Sequence, residues 1–248
     1  INTINYNKIL AEKNGRPPKK NLDHYVFMGN PGTGKTTIAR IMADIFFSMG
    51  LLPSNKLIEV KREDLVAGYV GQTSPKVKQV VQSALGGILF IDEAYTLSQQ
   101  HDSFGTEAIN ALVPLLLDYK DKFVCIVAGY TEDMISFLQT NAGLSSRFTK
   151  RILFEDYTPD ELTEIFCGIA EKENHPLSIG AKQAVKEKMN RLYVNRNKHF
   201  GNARTAGGVF ERVMTAHRNR VMSAMANNIN LDNLAFEEIT IEDINNAK

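Results

Sequence analysis

Gly29-Asn30-Pro31-Gly32-Thr33-Gly34-Lys35-Thr36 has the spacing G-x-x-x-x-G-K-[ST]. The apolar run Tyr25 to Met28 precedes it and the amphipathic stretch Lys35 to Met49 follows, so the motif lies between a predicted strand and a predicted helix. Its glycines let consecutive backbone N–H groups turn toward an anion, and the new helix adds its positive dipole end. The stretch therefore reads as a phosphate-binding loop. Asn30, Pro31, Gly32, Thr33, Gly34, Lys35 and Thr36 are the candidate nucleotide-binding residues. Lys35 can reach the β- and γ-phosphates, and the Thr36 hydroxyl can ligate Mg²⁺.

Downstream, Ile88-Leu89-Phe90-Ile91-Asp92-Glu93 is an apolar run followed by two carboxylates and preceded by Gly86-Gly87. Such a run reads as a central parallel strand buried on both faces. The acids then emerge at its C-terminal end, where ligands of α/β sheets bind. Asp92 is placed to hold the Mg²⁺ shell and Glu93 to polarise an attacking water. A base in that position separates a hydrolase from a passive nucleotide holder. The plainer reading of the same residues is a strand ending in a solvated acidic turn.

The chain has 248 residues and a formal net charge of +1. That length allows one large domain, or a core with a small second one. The charge gives no pull toward nucleic acid or anionic membrane. No apolar run is long enough to span a bilayer and no leader peptide is visible. Cys125 and Cys167 lie in strand and helix patterns and read as buried thiols of a reducing compartment, so a cytoplasmic location is expected. The histidines lack metal-ligand spacing and none is assigned to a metal. A first residue Ile1 rather than Met leads us to expect a cut or processed chain whose N-terminal segment is incomplete.

Strand-like runs at Tyr25–Met28, Leu57–Val60, Ile88–Ile91, Phe123–Ala128 and Ile152–Phe154 alternate with helical patterns, which predicts an α/β fold with helices on both faces of a parallel sheet. The helix after the phosphate loop is expected to bury Ile38, Ile41, Met42 and Ile45. The next is expected to start with Ser74 as N-cap and Pro75 in its first turn, burying Val77, Val80, Val81, Ala84 and Leu85. Phe104 to Asp118 reads as a third helix, kinked or broken at Pro114. Beyond Tyr157-Thr158-Pro159 the strands stop. Helices are predicted over Pro159–Glu173, Ile179–Tyr193 and Asn202–Met225, with Thr240 capping a short final one. The expected domains are 1–156, a nucleotide-binding core, and 157–248, a helical lid.

With these motifs in order the chain resembles AAA+ ATPases, and more narrowly the CbxX/CfxQ family. The resemblance rests on Gly29 to Thr37, Gly68-Tyr69-Val70-Gly71-Gln72-Thr73, Gly86 to Tyr95, Ala128-Gly129-Tyr130, Gly143 to Phe148 and Phe200 to Thr205. That family includes red-type rubisco activases (CbbX), stage V sporulation protein K and ATPases of type VII secretion. The resemblance adds Thr37 to the nucleotide-binding set. It implies that Arg147 is an arginine finger entering a neighbouring subunit's ATP site, so hydrolysis needs a ring. It implies that Arg204 is the sensor-2 arginine, which contacts the γ-phosphate in cis. Tyr69 and Val70 would lie on a central-channel loop that grips a peptide through broad aromatic contact, and Leu97 to Gly105 on a second such loop. The water-positioning residue after the fourth strand falls at Tyr130-Thr131 and stays open between them. The resemblance also places an adenine-lining pair upstream of Ile1 to Asp23, so adenine recognition is expected to be partly missing from this stretch.

The expected function is an ATP- and Mg²⁺-dependent, chaperone-like remodeller: a homo-oligomer, hexameric with ATP, pulling on a partner protein of unnamed identity. A nucleic-acid-coupled loader is the alternative raised by the bases around Asn195–His199 and Arg212 to Arg220, although a solvated helix face explains these better. An ATP-dependent conformational switch or scaffold is the third.

Overall fold

The structure, a computed structural model, describes residues 22–69, 71–99, 102–227 and 236–247. Val70, the segment before Leu22, and Gln100-His101 of the expected second loop lie outside them. The sheet contains β1 (Tyr25–Gly29), β2 (Leu57–Val60), β3 (Ile88–Ile91), β4 (Val124–Gly129) and β5 (Lys150–Phe154), in the order β2-β3-β4-β1-β5. The β1–β4, β2–β3 and β3–β4 pairings are parallel, with Met28 opposite Gly129 and Ile91 opposite both Val60 and Val127. Every residue of β3 and β4 is buried, which is why both read as unbroken apolar runs. Edge strand β5 is exposed or half-buried throughout, and it starts two residues before the expected Ile152–Phe154 because Lys150 and Arg151 are not part of the apolar run.

The chain forms two compact units: Ile1–Met28 with Lys35–Leu153, and Gly29–Gly34 with Phe154–Lys248. In the first, α1 (Lys35–Ser48), α2 (Arg62–Leu65), α3 (Thr73–Ala84), a 3₁₀ turn (Ala94–Ser98), α4 (Ser103–Asp118), α5 (Thr131–Gln139) and α6 (Ala142–Arg147) flank the sheet. The face of α1 differs from expectation. Ala39 and Ala43 are buried, whereas Ile38, Ile41 and Ile45 are exposed and Met42 is half-buried. Small residues at i and i+4 let the helix lie close, and the bulky stripe is turned outward. Ser74 is not the cap of α3 either: Gln72 is its N-cap and Ser74 lies inside the first turn. Pro114 is accommodated within α4, which continues to Asp118.

In the second unit α7 (Pro159–Lys172), α8 (Ala181–Val194), α9 (Ala203–Ala226) and α10 (Ile241–Asn246) enclose a separate core that includes Leu162, Phe166, Val185, Met189, Val209 and Phe210. Capping boxes open α7 (Thr158 with Glu161) and α10 (Thr240 with Asp243), each satisfying orphan helix N–H groups. Asp243 is buried, and its carboxylate also accepts from Arg220 Nε at 2.9 Å and Nη2 at 3.0 Å. Lys188 Nζ donates to Ile244 O at 2.9 Å and to Ala247 O, capping the other end of α10. Arg220, one of the bases of the loader reading, is thus spent on an internal ion pair. Cys125 is buried, and burial pushes its thiol well up. Cys167 is half-buried rather than buried, because it flanks the inward Phe166–Ala170 face of α7.

Two buried titratable groups, Asp243 and His24, generate predictions. Asp243→Ala leaves Arg220 without its partner and α10 without its cap, and should cost about 3–5 kcal/mol of second-unit stability, read by urea unfolding. His24, 6% exposed, lies between the Phe123 and Phe148 rings and accepts from Cys125 N at 3.0 Å through Nδ1. Burial, abetted by Arg147, holds its pKa below 6.5 despite a backbone hydrogen bond with Leu116 and the charges of Asp23 and Asp121. A depressed folded-state pKa means that the unfolded chain takes up the proton first. Stability from this group is full above pH 6.5 and falls as pH drops below it toward the folded-state value. His24→Gln keeps an acceptor but does not titrate, so its melting temperature should fall less than the wild type's between pH 7 and 5.

Candidate nucleotide site

The phosphate loop needs its glycines where they stand. Gly32 and Gly34 have φ of +71° and +88°, in the left-handed region. A Cβ at Gly32 would also run into Gly201 O. Thr33 is 4% exposed and its hydroxyl donates to Asn30 O at 2.8 Å. Asn30 Nδ2 donates to Asp156 Oδ1 at 2.8 Å.

That carboxylate is shared with Asn202, a residue given no role from sequence. Asn202 is fully buried and has φ +50°. Its Oδ1 accepts from Tyr157 N at 2.8 Å. The two hydrogens of its Nδ2 serve three acceptors, Asp156 Oδ1 (2.8 Å), Phe200 O (3.0 Å) and Pro31 O (3.3 Å), so one of the hydrogens is shared. Asp156 Oδ2 takes Arg196 Nε at 3.3 Å, and Arg196 stacks on Tyr193 with 3.7 Å to the ring centre. The available signal was an asparagine, tolerant of positive φ, between a glycine and a helix start. Arg204, two residues on, is exposed in the first turn of α9, its N–H donating to Gly201 O at 2.9 Å.

In the first unit Lys35, Thr36 and Thr37 form the first turn of α1. Because the sheet is parallel, α1 begins at the same edge where β3 releases Asp92 and Glu93, and β4 lies between β1 and β3. Asp92 N extends the ladder by donating to Val60 O at 2.9 Å. Glu93 then turns left-handed, φ +51° and ψ +40°, and is exposed, its N–H donating to Asp92 Oδ1 at 3.1 Å. A non-glycine residue in this region stores about 1 kcal/mol of strain or more. The turn ends the strand and sets two successive carboxylates at different angles, which a sequence motif alone does not reveal.

Tyr95 packs where a Cβ at Gly129 would stand, with its ring 5.8 Å from that of Tyr130. Burial, reinforced by the charges of Glu93, Asp133 and Asp92 and by Tyr130, pushes its pKa up to about 12. Its hydroxyl stays protonated beside the acidic pair. Tyr130 is the N-cap of α5 and Thr131 its first residue, both at the end of β4.

Arg147 is the last residue of α6. Nη1 donates to Ser146 Oγ at 2.7 Å, while Nε is buried with no hydrogen-bond partner among the described residues. Tyr69 is 74% exposed on the segment between α2 and α3. The base of that segment is fixed. Lys76 Nζ donates to Glu63 O (2.6 Å) and Val66 O (2.9 Å), and Ala67 N to Thr73 Oγ1 (3.2 Å). Arg62 on α2 forms a 2.7 Å ion pair with Asp102, the N-cap of α4.

The oxygens of Thr36 and Asp92 suit a hard cation that keeps waters and phosphate ligands, as Mg²⁺ does. Among the described residues no group of three or more His, Cys, Asp or Glu could hold a metal by itself. No helix among them is long and apolar enough to cross a membrane.

Residues 25–156 match the family described as "ATPase family associated with various cellular activities (AAA)", and residues 158–248 match the AAA lid domain. A Protein CfxQ homolog of Galdieria sulphuraria is 40% identical over 203 residues, which is 81% of this chain and 66% of that protein. A ribulose bisphosphate carboxylase/oxygenase activase of Cyanidioschyzon merolae is 38% identical over 224 residues, 88% of this chain and 73% of that protein. The ESX-1 secretion system protein EccA1 of Mycobacterium leprae is 45% identical over 173 residues, 68% of this chain but only 30% of that protein. The FIGL-1 AAA domain in complex with ADP superposes with a TM-score of 0.64 at 16% identity, covering 98% of this chain and 75% of that one. The chain thus spans from under a third to about three quarters of the length of these curated relatives. By both domain matches the chain belongs to the AAA family of ATPases, enzymes that hydrolyse ATP.

Proposed function

We propose that this chain is the motor of a ring-forming protein remodeller, a hexamer with ATP, which pulls on a partner protein through Tyr69-bearing loops. The observation that carries the reading is Tyr69 itself. A large aromatic side chain stands 74% exposed on a glycine-flanked segment whose base is tied down by Lys76 and Thr73. A solvent-facing tyrosine on a fixed base is suited to gripping a chain of varied sequence. The relative named as a rubisco activase and those named as secretion-system proteins support a protein as the substrate class. Neither names the partner of this one. A cytoplasmic location is part of the same reading.

In the proposed mechanism the backbone amides of Gly32 to Thr36 and the Lys35 ammonium hold the β- and γ-phosphates. Thr36 and Asp92 would hold Mg²⁺, which supplies charge neutralisation at the phosphates. Glu93, presented by its left-handed turn, accepts the proton of the attacking water, and Tyr130 or Thr131 orients that water. Arg204 contacts the γ-phosphate from its own chain. Arg147 belongs to the neighbour's site, where its guanidinium would neutralise charge on the transferred phosphoryl group. The loader reading draws no specific support: the net charge is +1 and Arg220 is internally paired.

Glu93→Gln should retain nucleotide binding and lose about 10²–10³-fold in turnover, as expected for a general base. Unchanged turnover would remove Glu93 from the chemistry. Tyr69→Ala should leave basal ATPase activity within about twofold while abolishing stimulation by the partner. Intact partner processing in that variant would favour the switch or scaffold reading.

A further inference from the structure

Successive carbonyl groups of the phosphate loop are occupied. Asn30 O accepts from Thr33 Oγ1 (2.8 Å), Pro31 O from Asn202 Nδ2 (3.3 Å), Gly32 O from Ala203 N (3.2 Å) and Thr33 O from the Tyr157 hydroxyl (3.3 Å). The last three donors come from one neighbourhood, Tyr157 together with the start of α9. In a trans peptide the C=O of one residue and the N–H of the next point in opposite directions. Drawing the carbonyls of Pro31, Gly32 and Thr33 toward these donors therefore turns the N–H groups of Gly32, Thr33 and Gly34 away from them. Those are the amides that a phosphate loop offers to its anion. A carbonyl that swung the other way would set negative charge against a phosphate.

We propose that Asn202 and Tyr157 are positioning residues for the phosphate loop: they clamp its carbonyls and so aim its amides at the nucleotide phosphates. Asn202 can do this because it is itself immobilised. Its Oδ1 holds Tyr157 N and its Nδ2 shares Asp156 with Asn30, inside a fully buried site. The positive φ of Asn202 places its carboxamide there while freeing Ala203 N to cap Gly32 O. The contact is close enough that any side chain at Gly32 would meet Gly201 O. Affinity for phosphate is thus set partly by residues more than a hundred positions beyond the motif. The inference rests on the phosphate-loop reading.

The test uses the full chain and fluorescently labelled ADP as the probe. Asn202→Ala should raise the ADP Kd about tenfold and Tyr157→Phe about threefold, the scale of one or two lost hydrogen bonds. Both should shift the phosphorus NMR resonance of the bound β-phosphate, a signature that a purely structural role would leave alone. Tyr157→Phe removes only a hydroxyl, so it decides the matter should Asn202→Ala fail to fold. Lys35→Ala separates the two levels of the claim. If Lys35→Ala binds ADP like the wild type, the phosphate-loop reading fails and the clamp with it. If Lys35→Ala loses ADP while folded Tyr157→Phe keeps the wild-type Kd and resonance, the clamp alone is overturned.

Discussion

Burying a parallel sheet on both faces constrains everything else in this molecule. Strands that all run one way deliver their C-terminal ends to a single edge, and the full burial of β3 and β4 leaves polar residues only beyond those ends. The order β2-β3-β4-β1-β5 sets β4 between β1 and β3, whose end releases the acidic pair. The candidate cation-holding and water-activating residues Asp92 and Glu93 of the proposed mechanism therefore need only the short turn after β3 to stand at that edge.

Local discomfort collects at the same places. Glu93 and Asn202 both hold a left-handed φ without being glycine, and Arg147 keeps a buried nitrogen with no acceptor among the described residues. Each departs from what the backbone or side chain would adopt alone, and the two backbone conformations persist because their surroundings over-determine them. Glu93 is fixed by the ladder bond of Asp92 and by Thr96, whose N–H and hydroxyl both donate to Glu93 O. Asn202 is fixed by Asp156 and Tyr157. These are the residues that the mechanism asks to present a carboxylate, aim a loop and reach across to another protomer.

Much of this was legible in the residues. β2 and β3 were read to their ends because buried parallel strands are unbroken apolar runs, and the phosphate loop because its spacing is dictated by the anion. The start of β5 was missed because its exposed edge carries Lys150 and Arg151. The buried face of α1 was misread because periodicity weighs bulk, whereas Ala39 and Ala43 make the close contact. The clamp around Asn202 was invisible for another reason. It joins Asn30 and Pro31 to Asp156 and Asn202 through bonds spanning 126 and 171 positions, and no local pattern encodes them.

The central claim is that one protomer's Glu93 works with the next protomer's Arg147, and mixing two defective variants tests it most directly. Glu93→Gln and Arg147→Ala should each be inactive alone. Combined in equal amounts with ATP and Mg²⁺, they should regain a substantial fraction of wild-type turnover, because some interfaces then pair an intact glutamate with an intact arginine. Mixtures no more active than the separate variants, although they assemble together, would place both residues in the same subunit's site and contradict the shared-site account.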